Sequence, residues 1–463
     1  MIVIDAYRGR PVAILGLAKS GLAAARSLIA GGAEVLAWDD NPKLRDSLAG
    51  EIPLGDLTKA QWSKIAALVL SPGIPHSFPQ PHPAVLRARE AGVEILGDLE
   101  LLGRAQPEAR YIGITGTNGK STTTALIGHI LTEAGIRAEI GGNLGTPALS
   151  FSPLGRDGTY VIEGSSFQLE LIPTLAFDIA VLLNITPDHL DRHGSMEGYI
   201  AAKKRIFADQ KPQGIAIVGV DDPICREIYS ELRDEHPACV VPISVKEAVP
   251  GGVYADSGWL IDAMGSEPVR VLDLTAAERL PGTHNWQNAA AAYAAARGAG
   301  ISPAAATAAI RSFPGLAHRQ ELVATIESVH YINDSKATNA DATEKALACY
   351  SDIYWILGGL PKAGGITPLT PYFDRVRHAF LIGRATEEFA ATLEGSVPYT
   401  SCGDLQTAVA AASEMARRDA LASAVVLLSP ACASYDQFAN FEQRGDTFRD
   451  LVAELRAAPA RSA

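Results

Sequence analysis

The stretch Tyr111–Ile130, Y-I-G-I-T-G-T-N-G-K-S-T-T-T-A-L-I-G-H-I, sets the frame for the whole chain. Its apolar opening, Tyr111 to Ile114, has the pattern of a buried strand. Gly116-Thr117-Asn118-Gly119-Lys120-Ser121-Thr122 follows, and then Leu126, Ile127, Ile130 and Leu131 fall on one side of a helix. Strand, glycine turn and helix N-terminus make an anion cradle, because glycines let backbone N–H groups point inward and the helix dipole adds positive potential. Lys120 has the reach for the outer phosphates of a nucleotide, and the Ser121 hydroxyl is a Mg²⁺ ligand type. Ile114 stands where a strict phosphate loop has its first glycine. The stretch by itself indicates a nucleotide phosphate site in an α/β domain and leaves its use open.

At 463 residues the chain is long for one core, and two to four domains are expected. It is 47% hydrophobic and 20% charged, with 42 Gly and 28 Pro to punctuate many short elements. Apolar runs stay well short of a membrane span, and MIVIDAYRGR at the start lacks an extended apolar region with a cleavage site. Cys225, Cys239, Cys349, Cys402 and Cys432 are scattered and form no C-x-x-C pair, which points to reduced thiols in a cytoplasm and against structural zinc. A formal charge of −12 disfavours a general nucleic-acid binder, which needs a basic surface, but not a small phosphorylated ligand.

Residues 1–98 form a first α/β segment. Strands are expected at Val12–Leu15, Glu34–Trp38 and Ala67–Leu70. Between the first two lie the turn Gly16-Leu17-Ala18-Lys19-Ser20-Gly21 and a helix. With Asp39-Asp40-Asn41 about 20 residues on, this resembles a dinucleotide fingerprint lacking its middle glycine. Such a turn serves any nucleotide diphosphate, or nothing. Ser71-Pro72-Gly73 sits at the third strand's carboxyl end, where open α/β sheets hold ligands.

Residues 99–315 contain the phosphate loop. Asn143 lies among glycines at a strand end, and Glu163 ends the apolar strand Tyr160–Ile162, where a carboxylate suits Mg²⁺. A strand over 178–186 delivers Pro187-Asp188-His189-Leu190-Asp191-Arg192-His193. Its two carboxylates and two histidines suit metal or substrate work. A helix over 196–208 carries Lys203 and Lys204; periodicity leaves open which faces inward, and a solvated face is the simplest reading. His284, Asn285 and Asn288 open an Ala-rich helix as caps or as contacts to a nucleotide base. Residues 316–463 alternate strand and helix again, with strands at 353–357, 379–382 and 424–428. Their polar clusters are His318-Arg319, Asn333 to Asn339, Gly358 to Gly365 and Ser429 to Phe438. Cys432 has no nearby histidine and reads as an inert thiol.

E-G-S-S-F-Q-L-E at 163–170, N-I-T-P-D-H-L-D-R at 184–192, N-D-S-K-A-T-N at 333–339 and S-P-A-C-A-S-Y-D-Q-F at 429–438 together resemble the Mur ligase family, in its D-glutamate-adding branch. The resemblance runs along essentially the whole chain. It implies three α/β domains: a Rossmann-like domain for a UDP-substrate (1–98), a central P-loop ATPase domain with a mostly parallel sheet (99–315), and a C-terminal Rossmann-like domain (316–463). It implies the reaction ATP + UDP-N-acetylmuramoyl-L-alanine + D-glutamate → ADP + phosphate + the D-glutamyl product, through an acyl phosphate. The enzyme would be cytoplasmic and act as a monomer, with no nucleic-acid partner.

By the same resemblance Lys120, His189 and Lys203 are catalytic, and Lys203 is carbamylated. Two Mg²⁺ ions are held among Ser121, Glu163, His189 and the Lys203 carbamate. ATP meets residues Gly116 to Thr122, together with His284, Asn285, Asn288, Arg319 and Asp334. D-Glutamate meets Lys336, Thr338, Lys362, Ser434 and Phe441, with Asp188 nearby. The UDP-substrate meets Lys19, Ser20, Asp39, Asp40, Asn41, Ser71 and Gly73, with Asn143 towards the sugar or alanyl part. Lys19 departs from the expected apolar residue, and G-L-P-K-A-G-G departs from the G-G-x-x-K-G form. Ligands shared between the second and third domains imply that the third closes on the second. Competing readings are a sister Mur ligase adding another amino acid, a nucleotide-binding switch, and an NAD-dependent oxidoreductase built on Gly16–Asp39.

Overall fold

A computed structural model of the protein describes residues 1–143, 145–235, 239–362 and 364–457. The described residues form three sheets, each with its carboxyl strand ends carrying the polar motifs. The first is parallel, in the order β2-β1-β3-β4, from β1 (Pro11–Leu15), β2 (Glu34–Trp38), β3 (Ala67–Leu70) and the short β4 (Glu94–Leu96). Strand order reverses around β1, so the turn after it opens into a crevice between β2 and β3. Gly21 is required there, since a Cβ on it would lie 1.8 Å from the Gly16 carbonyl oxygen.

The second sheet has nine strands: β5 (Arg110–Thr115), β6 (Arg137–Gly142), β7 (Gly158–Glu163), β8 (Ile179–Leu182), β9 (Ile215–Gly219), β10 (Val240–Ser244), β11 (Val253–Asp256), β12 (Trp259–Asp262) and β13 (Val269–Asp273). They lie in the order β13-β12-β11-β10-β9-β8-β5-β7-β6. The seven strands from β6 to β11 run parallel, and β12 and β13 fold back antiparallel. β5 lies between β7 and β8, pairing Ile114 with Glu163 and Thr115 with Leu182. The glycine turn therefore leaves the sheet at a switch point, beside Glu163. The strand expected over 178–186 is shorter, Ile179–Leu182, because β5 turns into its loop after Thr115.

The Ala-rich helix Thr283–Gly298 crosses this sheet. Gln287 approaches Gly219 at the carboxyl end of β9, and Ile179 and Ile215 approach Gly298 at the other end. Gln287 to Ala296 are all buried, so this part of the helix has no wet face, and seven of its ten residues are alanines, with Tyr293 the one large apolar side chain among them.

The third sheet has the order β14-β15-β19-β16-β17-β18, from β14 (Glu321–Ile326), β15 (Val329–Asn333), β16 (Ile353–Gly358), β17 (Val376–Ile382), β18 (Tyr399–Gly403) and β19 (Ala424–Leu428). Only the β14–β15 hairpin is antiparallel. Apolar cores cover both faces, one around Trp355, Leu357 and Leu427 and the other around Tyr354, Ile356 and Val426.

Residues 1–276 and 285–313 pack as one compact unit, and 277–284 with 314–463 as a second. The first two sheets thus share a unit. One core cluster runs from Ile2, Val12 and Val69 to Tyr111, Tyr160 and Phe177. Among the described residues no helix is long and apolar enough to cross a membrane.

Candidate active site

Thr117 and Asn118 do not turn their N–H groups towards a ligand. Thr117 N–H donates to the Asn184 carbonyl at 2.8 Å, and Asn118 N–H to Asn184 Oδ1 at 2.8 Å. Asn184 Nδ2 donates back to the Asn118 carbonyl and also to Gln287 Oε1. One asparagine therefore clamps the loop as a strand would. The anion cradle is narrower than the sequence suggests: it is Gly119 and the N-terminus of the helix Lys120–Glu133. Gly119 has φ +86, and a Cβ there would lie 2.3 Å from Asn288 Oδ1. Gly119→Ala is accordingly expected to cost about 1–3 kcal/mol and to abolish nucleotide binding. Thermal melts with and without ADP check both parts. Ser121 is buried in the first turn, Thr122 is half-buried beside it, and Asn288 accepts from Thr123 Oγ1 while donating to Asn285 Oδ1.

Lys120 Nζ donates to the carbonyls of Gly116 (2.9 Å) and Thr117 (2.8 Å). Lys203 Nζ donates to the same Gly116 carbonyl at 2.8 Å and lies 4.7 Å from the Tyr199 ring centre. Lys203, 2% exposed, is thus the inward lysine of its helix, whereas Lys204 reaches Glu231 on the surface. Burial, and then the neighbouring Lys120 ammonium, bring Lys203 down to about 7, against the weaker pulls of Asp188 and Glu163.

Glu163, 2% exposed, accepts from Asn143 Nδ2 through Oε1 at 2.7 Å, while its buried Oε2 has no hydrogen-bond partner. A fixed carboxylate with one unsatisfied oxygen suits a hard cation, as Ser121 Oγ also does. Asn143, expected towards the sugar or alanyl part, orients this carboxylate. The cluster after β8 divides. Asp188 and His189 are about half exposed and 3.4 Å apart, with His189 in the left-handed region at φ 52. Arg192 and the His193 side chain are instead buried, His193 stacked on Phe167 and bonded to Ser166 Oγ at 2.9 Å. Burial keeps His193 below its ordinary pKa. His189 and His193 nevertheless pack on the same two rings, Phe167 and Tyr199, so the two histidines differ in exposure and not in place.

In the first sheet, Asp39 Oδ2 accepts from Leu17 N–H (2.7 Å) and Oδ1 from Asn41 N–H (2.8 Å). Its carboxylate is committed to the turn, which argues against a ribose-binding acid of the NAD type. Asp40 pairs with His82, Asn41 caps the helix Pro42–Leu48, and Ser71 Oγ donates to the Gly16 carbonyl. Gly73 faces open space, and Lys19 is exposed at the helix start. Ser20 lies against Asp98, which burial holds above the ordinary carboxylate range.

The second unit gathers its own residues. Arg444, 1% exposed, donates to Ser335 Oγ and to the carbonyls of Ser335 and Cys432, joining the loop of Lys336 and Thr338 to that of Ser434. Lys336 Nζ lies 5.2 Å from the Phe441 ring centre, and Ser335 Oγ donates to the Phe441 carbonyl. Leu360 N–H donates to the Ala433 carbonyl, which ties the exposed Lys362 loop to the same cluster. Ala363 of that loop, like Leu144 in the first unit, lies outside the described residues. Asp334 accepts from Ser429 Oγ and Gln320 N–H, and burial pushes it up to about 7 against the pull of Arg319. His284 belongs to this unit, unlike Asn285 and Asn288. Burial, with Lys345 adding, holds it near 4 and hence neutral. Cys432 is pushed up to about 12 by burial, as an inert thiol requires.

Three comparisons agree with this geometry. Residues 10–97 match the Mur ligase MurD-like N-terminal domain, 114–296 the Mur ligase middle domain, and 318–432 the Mur ligase glutamate ligase domain. The chain is 55% identical over 461 residues, 98% of its length, to a Rhodospirillum rubrum protein named UDP-N-acetylmuramoylalanine–D-glutamate ligase, of which 97% is covered. A protein of the same name from Caulobacter sp. is 52% identical, with both chains covered completely. Among solved structures, UDP-N-acetylmuramate–alanine ligase from Thermotoga maritima shares the fold at TM-score 0.58 and 17% identity, with 97% of this chain and 100% of that one covered. From its first sheet to its third, the chain belongs to the Mur ligase family.

Proposed function

We infer that this protein is an ATP-dependent amide-bond ligase that adds D-glutamate to UDP-N-acetylmuramoyl-L-alanine in the cytoplasm, a step of peptidoglycan precursor synthesis. The observation that carries the substrate assignment is identity above one half, over nearly the full length, with chains named for that reaction. The division of labour follows the sheets: UDP-substrate on 1–98, phosphates on 99–315, D-glutamate on 316–463.

A carboxylate is a poor acyl donor, so an oxygen of the alanyl carboxylate first attacks the γ-phosphorus of ATP and ADP leaves. The amine of D-glutamate then attacks the carbonyl carbon of the acyl phosphate. The tetrahedral adduct loses a proton from nitrogen and expels phosphate. Positioning and charge neutralisation carry such a transfer. Lys120 at the loop supplies a cation for the phosphates. Ser121, Glu163, His189 and a Lys203 carbamate would hold two Mg²⁺ ions, whose part is to neutralise phosphate charge. The unsatisfied Glu163 Oε2 supports that ligand set.

Carbamylation of Lys203 needs a neutral amine, and burial beside Lys120 supplies one near pH 7. The nitrogen lone pair attacks carbon dioxide, an N–C bond forms, and the amine proton leaves. The Lys203 amine beside the Lys120 cation is thereby replaced by an anion. On the second unit, Lys336 and Lys362 provide cations for a dicarboxylate amino acid, while Ser434 and Thr338 add hydroxyls.

A phosphate-release assay with UDP-N-acetylmuramoyl-L-alanine and a panel of amino acids tests the assignment. Release is expected with D-glutamate alone. Release with lysine or meso-diaminopimelate but not D-glutamate would replace this reading with that of a sister ligase.

A further inference from the structure

We propose that Arg192 is a positioning residue that couples occupation of the UDP-substrate turn to the placement of His189 at the reacting end. The inference rests on the ligase reading above.

The loop after β3 leans on the first-sheet turn. Ser71 Oγ donates to the Gly16 carbonyl, and the Ile74 side chain fills the space a Gly16 Cβ would need. Arg192 reads the far side of that same loop with both arms of its guanidinium. Nη2 donates to the Ile74 carbonyl and Nη1 to the Phe78 carbonyl, each at 3.1 Å. The guanidinium carbon lies 5.2 Å from the Phe167 ring centre, four residues beyond Glu163. Gly16, Ser71, Ile74 and Arg192 thus form an unbroken line of contacts within one compact unit.

The segment at the end of that line cannot hold itself. Leu190–His193 is a single helical turn, opened by His189 in the left-handed region and closed by Gly194 at φ 79. One turn is far below the length at which a helix is stable alone, so its place is set by what its side chains grip. Arg192 is 8% exposed and donates to carbonyls rather than to a carboxylate, and its buried Nε has no hydrogen-bond partner. Glu170 and Asp191 are the anions near it, and neither makes a direct ion pair with it, so burial of the guanidinium is only partly offset. A planar fork fixing two carbonyls is what that cost secures, and a lysine cannot reproduce it.

The test measures linkage in the full-length protein. Calorimetry gives the affinity for a non-hydrolysable ATP analogue with and without UDP-N-acetylmuramoyl-L-alanine. Wild type is expected to show about tenfold reciprocal tightening. Arg192→Ala and Arg192→Lys should reduce it below about twofold, and kcat/KM should fall about 10²-fold, the cost typical of a 1 Å misplacement. Guanidinium ion at millimolar concentration should restore part of the coupling to Arg192→Ala, while methylammonium should not. Full coupling in either variant, no coupling in wild type, or rescue by any cation overturns the proposal. Should Arg192→Ala not fold, Arg192→Lys decides it. Absence of any UDP-substrate binding in wild type would instead overturn the ligase reading.

Discussion

Lys203→Ala is expected to lower kcat/KM for D-glutamate-dependent phosphate release by about 10²–10³-fold, the scale of losing one preorganised electrostatic contact in a closed site. The size follows from where the side chain is. Its amine is buried, meets the phosphate-loop carbonyl of Gly116, and shares that acceptor with Lys120. Alanine removes an anionic ligand if the lysine is carbamylated, and an amine that donates to Gly116 if it is not. Wild-type enzyme depleted of carbon dioxide should lose activity and regain it with bicarbonate, whereas the variant should not respond. A carbamate signal from ¹³C-bicarbonate should appear in wild type and be missing in Lys203→Ala. Full activity in the variant, or a wild type indifferent to bicarbonate, removes the carbamate from the mechanism.

Glu163→Gln should lower activity by a similar factor, about 10²–10³-fold, and its second signature is thermodynamic. Ligands that bind only the folded state raise stability by mass action, about 2.7 kcal/mol at a hundredfold excess over Kd. Wild type should therefore melt higher with Mg²⁺ and nucleotide than with nucleotide alone, and Glu163→Gln should lose most of that increment. In metal-free buffer the variant should melt no lower than wild type, because Oε2 has no hydrogen bond to lose and Oε1 can still accept from Asn143. A variant that keeps the metal-dependent increment would show that Glu163 does not hold the ion.

Local patterns with short-range causes were legible in the sequence. The strand–turn–helix of Tyr111–Ile130 could be read because its glycines, lysine and apolar stripe are contiguous. Glu163 could be read because a buried strand ended on it. Contacts made across long separations were not. Asn184 looks incidental in an apolar run expected to be strand, yet its side chain grips Asn118 from 66 residues away. In the string Asp188–His193 the acids and histidines drew attention, and the arginine that anchors the turn did not. Arg444 gave no signal at all, being one charge on an amphipathic C-terminal helix. The choice between Lys203 and Lys204 was also beyond periodicity, since both have apolar neighbours four residues away. The hairpin β11–β12 was missed because its strands are only four residues long and mostly buried, without alternation, and β14–β15 and the edge strand β18 because β14 and β18 are largely half-buried or exposed.

The helix at 283–298 bears on how this chain can change over generations. Its run of alanines is the plainest text in the sequence and invites the view that almost anything could be written there. The opposite holds. From Gln287 to Ala296 every position is buried, so enlarging one of the alanines there overpacks the core, at a typical cost of about 1–3 kcal/mol. A saturation library should find this monotonous stretch among the least permissive, while the varied surface helix at 223–235 accepts most replacements. Simplicity of sequence here records a narrow space, not a relaxed one.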